Sequence, residues 1–218
     1  MLDKWLIFGR VIHISCGFIA LTTGLIVIVI KKGTPSHKKL GKTFLLALMT
    51  TCIFSLLLQV NRYFDAILSY QAALGIYLGI SGFLDFNRYF DSRIRKLLQI
   101  ILPILIFCFC LFLIFLAYSG KISKNPALIL ASISGGLIFS LVDIILQLRI
   151  LLTDKIQKHY LLPHAIKLVT AFIVMLSAFS STTFSFLNTP YKETWPTIFG
   201  LPILYYWAIK QLRQSKTT

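Results

Sequence analysis

Four ionisable side chains, His13, Asp143, His164 and Lys167, fall inside long apolar runs of this 218-residue chain. Each costs on the order of 2.5 to 3.5 kcal/mol at the centre of a bilayer by insertion scales, so each needs a physical reason to be there. A carboxylate and an ammonium at that depth pair with one another, hold an ion or pass a proton. An imidazole accepts a proton or ligates a metal or haem.

An α-helix turns about 100° per residue, which shows what shares a face with each of these groups. His13 lies with Gly17, Ala20 and Gly24 in a sector of about 60°, a small-residue stripe that lets a neighbouring backbone come close. Asp143 shares about 80° of arc with Ser132, Gly136, Ser140 and Gln147. His164 and Lys167 share about 60° with Ala171, Ala178, Thr182 and Ser185. A third-helix stripe of Ala72, Gly75, Gly79 and Gly82 has Asp85 nearby. Four helices thus each present one small or polar face.

The elements that position these groups are the apolar runs themselves. Hydrophobic residues make up 57% of the chain and charged residues 13%, against about 45–50% and about 25% in a soluble domain. Runs of about 17 to 24 apolar residues are long enough to span a bilayer. The expected helices cover 9–30, 43–60, 66–85, 97–117, 126–148, 161–187 and 195–210. Pro196, Gly200 and Pro202 interrupt the seventh. The reading is all-α: one polytopic membrane domain over 1–218, an integral bundle of seven transmembrane helices with no room for a soluble catalytic domain.

The net charge of +15 suits a membrane protein rather than a nucleic-acid binder, because Lys and Arg gather in one alternate set of loops. That set holds Lys31 to Lys42, Arg88 to Lys96, Arg149 to Lys158 and Lys210 to Lys216. The other holds Lys4, Arg10, Arg62, Lys121, Lys124 and Lys192. The richer set is assigned to the cytoplasm, where it meets anionic lipid headgroups, leaving the N-terminus outside and the C-terminus cytoplasmic. Trp5, Tyr118, Tyr160, Tyr191 and Trp195 stand at run ends, as an interfacial belt would. A location in the cell membrane follows, the cytoplasmic membrane if the chain is bacterial.

Depth gives the sharpest expectation. The fifth and sixth helices are consecutive and run antiparallel around a turn near Asp154 and Lys155, and Asp143 precedes that turn by about as many residues as Lys167 follows it. Asp143 is expected to pair with Lys167, or with His164 one turn closer to the cytoplasm. Such a pair serves a proton or ion relay, or simply orients two helices. The hydroxyl-rich segment with Ser181 and Thr182, together with Gln59, Arg62, Asp65 and Gln71, lines an outer polar cavity, unless its hydroxyls bond back to their own helix. His13 is either hydrogen-bonded to a neighbouring helix or acts as a ligand or proton acceptor. A bis-histidine haem requires His37 or His159 to fold back onto His164.

Cys16, Cys52, Cys108 and Cys110 all lie in apolar runs and read as small buried hydrophobes. No zinc-protease, serine-hydrolase, nucleotide-loop or dinucleotide fingerprint is present. No metal site is read.

The segment HISCGFIALTTGLIVIVIKKGTPSHKKLGKTF, from His13 to Phe44, resembles the opening of a family of uncharacterised multi-pass bacterial membrane proteins. The matching elements are His13, Gly17, Ala20, Leu21, Gly24, Lys32, Gly33, His37, Lys38 and Gly41, with Met49 beyond. YLGISGF, from Tyr77 to Phe83, and HAIKLVTAFIVMLSAF, from His164 to Phe179, resemble its third and late helices; Lys38 and Lys167 depart from its pattern. The resemblance implies the fold and points to His13, His37 and His164, and carries no reaction. Three functional classes stay open: proton-coupled or small-solute transport or binding, a haem-holding redox protein, and a non-catalytic partner subunit or homo-oligomer.

Overall fold

A computed structural model of the protein describes residues 2–60, 65–86, 93–121, 126–153, 161–188 and 191–214. Every regular element among them is an α-helix: α1 (Leu2–Val29), α2 (Pro35–Val60), α3 (Ala66–Phe86), α4 (Arg93–Tyr118), α5 (Pro126–Thr153), α6 (Leu161–Thr183) and α7 (Tyr191–Gln214). Lipid offers no hydrogen bonds to the backbone, so long apolar segments satisfy their peptide groups within a helix. Among the described residues, α1 to α6 are long and apolar enough to cross a membrane. The chain is a multi-pass helical membrane protein. The apolar stretch of α7 from Trp195 to Ile209 is shorter than the about 20 residues a crossing needs.

Local chemistry sets the helix ends. Pro35 opens α2 at the position where a missing N–H costs nothing, and the Thr34 hydroxyl accepts a bond of 3.2 Å from the His37 amide. The basic stretch Lys38 to Lys42 therefore forms the first turns of α2, eight residues earlier than the apolar run alone implies. Lys32 donates to the carbonyls of Val27 and Ile28 at 2.7 Å each, capping α1. Its partial burial lowers its pKa below that of an ordinary lysine. Asp65 caps α3 through Oδ1, which accepts from Ile67 and Leu68 at 2.9 and 3.2 Å. After α4 the chain turns at Gly120, whose φ of 70° a side chain would resist.

The sixth helix is shorter than the sequence implies. It ends at Thr183 rather than at 187, and Phe184 to Leu187 close in tight turns. Ser181 and Thr182 bond back to Ala178 at 2.9 and 3.1 Å, an interaction that competes with regular helix. Thr182 and Ser185 are consequently exposed and do not extend the buried face of Lys167 and Ala171.

The chain forms two compact units, Ile80–Leu168 on one hand and Met1–Gly79 with Val169–Thr218 on the other. In the latter, α1 packs on α2, with Gly17 against Thr51 and Gly24 against Phe44 and Phe172. A Cβ at Gly24 would come within 2.6 Å of the Phe172 ring, so only glycine allows this approach. Gly75 and Gly79 meet Cys52 and Met49 in the same way, at 2.9 and 2.5 Å from a would-be Cβ. Ser180 accepts a 2.6 Å bond from the Trp195 indole, joining the end of α6 to α7.

In the Ile80–Leu168 unit, α4 and α5 form an antiparallel hairpin. Gln99, Pro103, Ile106, Cys110, Leu113 and Ala117 of α4 are buried, as are Ile129, Ile133, Gly136, Ser140, Asp143 and Gln147 of α5. Both series alternate steps of four and three, the 3.5-residue repeat of interlocking helices. The repeat sets the depth of polar residues toward the open end, Gln99 on α4 and Asp143 and Gln147 on α5. All four cysteines are free; Cys52 and Cys110 are buried as expected, whereas Cys16 is only half-buried and Cys108 is exposed, on a face of α4 away from Cys110.

Candidate intramembrane ion site

Three helices of the Ile80–Leu168 unit bring charges together. α6 carries Lys167, α3 carries Ser81 and Asp85 one turn apart, and α5 carries Asp143 on its buried stripe. Gly82 makes the approach of α6 to α3 possible, since a Cβ there would sit 3.1 Å from the Lys167 Cβ and from a Leu168 methyl. The backbones come this close because α3 has no side chain at the crossing.

The Lys167 ammonium lies 3.0 and 2.8 Å from the two Asp143 carboxylate oxygens and 2.9 Å from Asp85 Oδ2. It also donates to the Ser81 hydroxyl at 2.6 Å. Side-chain exposure is 4% for Lys167, 0% for Asp85 and 6% for Asp143. The ammonium thus donates hydrogen bonds to Ser81 and Asp143 and faces Asp85 as an ion pair. Ser81 lies 3.4 Å from Asp143 Oδ2, and the Gln99 amide of α4 donates to Asp85 Oδ1 at 3.1 Å. Four helices thus supply one connected polar network within an apolar surrounding, where each charge–charge contact is far stronger than in water.

His164, one turn before Lys167, stands beside this network, near enough for the Asp85 charge to act on its ring. Its Nδ1 lies 2.7 Å from the Gly82 carbonyl, and its ring tilts against Phe86 at 5.2 Å. A carbonyl only accepts, so Nδ1 carries a proton in this contact. Of the two partners the sequence left open for Asp143, the structure pairs Lys167. Gln147 is buried one turn beyond Asp143.

Sequence reasoning missed Ser81 and Gln99. Their signals were present: Ser81 precedes Asp85 by one helical turn, and Gln99 is the polar member of the four–three repeat of α4. An isolated Ser or Gln in an apolar run attracts little notice because either can be satisfied by its own backbone or at an interface.

The remaining candidates sit in the other unit. His13 Nδ1 lies 3.0 Å from the Thr51 carbonyl of α2. Gln59 Oε1 accepts from the Ser69 hydroxyl at 2.6 Å and from the Asp65 amide at 3.2 Å. Gln71 is buried, with Oε1 lacking a hydrogen-bond partner. Ser181 and Thr182 bond back to carbonyls of their own helix. Arg62 lies outside the described residues, as do His159 and the turn at Asp154 and Lys155. Among the described residues no three His, Cys, Asp or Glu side chains converge as a metal site requires.

No family model, no curated protein and no solved structure matches this chain.

Proposed function

We propose that this membrane protein binds or transports a small solute with proton coupling, through the cluster of Lys167, Asp85 and Asp143. One observation carries the reading: a lysine ammonium buried within helices of membrane-spanning length meets carboxylates from two other helices. Hydrophobic side chains of the same volume would pack such a crossing as well or better, so helix packing alone does not call for the charges. Buried ionisable groups in membrane helices are the usual carriers of proton relays and ion paths. An ammonium beside two carboxylates supplies a donor and acceptors of one proton within 3.0 Å.

In this account Gln99 and Ser81 hold the carboxylates in place, and Gly82 sets the distance between α3 and α6. The richly basic turns face the cytoplasm and its anionic headgroups. The N-terminus lies outside if α7 also crosses.

Proteoliposomes loaded with a pH-sensitive dye test the reading. After an acid pulse the wild type collapses the imposed pH difference, and Asp143→Asn slows the collapse at least tenfold. Equal rates in the two proteins contradict it.

A second reading has its own observation. His13 and His164 each give Nδ1–H to a backbone carbonyl, the arrangement that orients Nε2 toward a metal. A haem protein would show a reducible Soret band lost in His164→Ala. A colourless preparation from haem-replete cells removes this reading.

A further inference from the structure

Gly17 of α1 differs from the glycines at the tight helix crossings. A Cβ at Gly24, Gly75, Gly79 or Gly200 would come within 2.6, 2.9, 2.5 or 2.7 Å of a neighbouring side chain, so the neighbour already fills that space. A Cβ at Gly17 would stand 3.6 Å from Thr51 Cγ2 and 3.9 Å from Thr51 Oγ1, in ordinary contact. A hollow the size of a methyl group is left there, and the Thr51 hydroxyl faces it. Thr51 is only 8% exposed, and its Oγ1 is buried without a hydrogen-bond partner. Other helical hydroxyls answer themselves: those of Thr22, Thr23, Thr43 and Thr50 each donate to a carbonyl four residues back. His13, one turn before Gly17 on the same face, gives Nδ1–H to the Thr51 carbonyl at 3.0 Å, and its Nε2 has no partner among the described residues. An unanswered hydroxyl and an imidazole with a nitrogen to spare thus share one face with an unfilled hollow.

We propose that the α1–α2 seam at His13, Gly17 and Thr51 binds the hydroxyl group of a membrane-soluble molecule, a long-chain alcohol or a quinol. Gly17 lies midway along the apolar span Lys4–Val29. It is half-buried, and its neighbours in sequence, Ile14 and Phe18, are exposed, so the hollow is reached from hydrocarbon. A hydroxyl is donor and acceptor at once. It accepts from the Thr51 hydroxyl and donates to Nε2 of the neutral His13 ring, which satisfies two groups that are costly to leave unbonded in an apolar surrounding. Its oxygen fits where a methyl fits. The buried polar residues described in this unit, Thr51, Ser69, Gln71, Ser177 and Ser180, carry no charge. A charged headgroup would go uncompensated there, whereas a neutral one is matched. The proposal does not rest on the ion-cluster reading.

Thermal unfolding of the detergent-purified protein tests the site, with dodecan-1-ol, with 2-decylhydroquinone under argon, and with dodecyl methyl ether, which has no O–H to give. The wild type should show a saturable rise in Tm on the order of 5 °C with at least one of the hydroxyl compounds and none with the ether. A rise with the alcohol alone or with the quinol alone identifies the source of the hydroxyl. Thr51→Val keeps the side-chain shape and the carbonyl that holds His13 but removes the hydroxyl. Gly17→Ala fills the hollow with a methyl that its neighbours tolerate. Both variants should fold and lose the rise, and either one carries the comparison if the other does not fold. Nitrogen-15 spectra of labelled histidine should show one ring responding to the bound compound, the ring absent from His13→Phe. The proposal is overturned by a wild type indifferent to both hydroxyl compounds, by an equal rise with the ether, by an undiminished rise in either folded variant, or by a response confined to another histidine.

Discussion

His13 and Lys167 are both ionisable groups on small-residue faces of apolar helices, yet the structure treats them differently. His13 is half-buried and answered by a single backbone carbonyl, that of Thr51 at 3.0 Å. Lys167 is buried and answered by three side chains from two other helices, with a fourth helix bracing one of the carboxylates. An imidazole can stay neutral and needs one acceptor, and any helix supplies carbonyls. An ammonium in an apolar surrounding needs opposite charge, which must be provided by other elements at the same depth. A polar group thus reveals a built site when its partners are side chains placed for it.

The largest way to break this contrast is Lys167→Ala. Removing one member of a buried ion cluster leaves the remaining charges less well compensated and costs about 3–5 kcal/mol. Tm should fall on the order of 10 °C. A fall as small as that of a His13 variant would erase the distinction between the two sites.

Gly82→Ala sharpens it. The new Cβ meets the Lys167 Cβ and Leu168 at 3.1 Å, so α6 must shift away from α3 at a cost of about 1–3 kcal/mol. Proton flux should drop along with Tm, because the shift moves the ammonium relative to both carboxylates. Gly135, with nothing within 4 Å of a would-be Cβ, is the control site, where Ala should leave flux unchanged.

Smaller still is His13→Phe, which loses one hydrogen bond worth about 1 kcal/mol and leaves flux intact. Ser181→Ala and Thr182→Ala remove only bonds to their own helix and should change stability by less than about 0.5 kcal/mol. Thermal unfolding of the five variants, Lys167→Ala, Gly82→Ala, His13→Phe, Ser181→Ala and Thr182→Ala, side by side with the wild type checks the order.

The helical elements and the Asp143–Lys167 pair could be read from sequence because both follow from periodicity and length. Antiparallel neighbours around a short turn place residues equidistant from it at one depth, which is arithmetic on the helical rise. Asp85 was visible as a candidate, but its meeting with Lys167 was not, since α3 is separated from α6 by two intervening helices and no turn fixes its register against it. The end of α6 was misjudged for another reason. Apolar character continues through Phe184 and Leu187, while the backbone obeys the hydroxyls of Ser181 and Thr182. The same hydroxyls look hydrophilic in sequence, yet Ser181 and Thr182 are satisfied within one turn.

The central claim is that the carboxylates around Lys167 exchange a proton within the membrane. Infrared difference spectra of the reconstituted protein between acid and alkaline buffers test it most directly. A carboxylic acid C=O band should appear on acidification, shift in deuterium oxide, and vanish in Asp85→Asn or Asp143→Asn. If the same band persists unchanged in both variants, or never appears over the range in which the protein stays folded, the cluster is a fixed structural ion pair and the account is wrong.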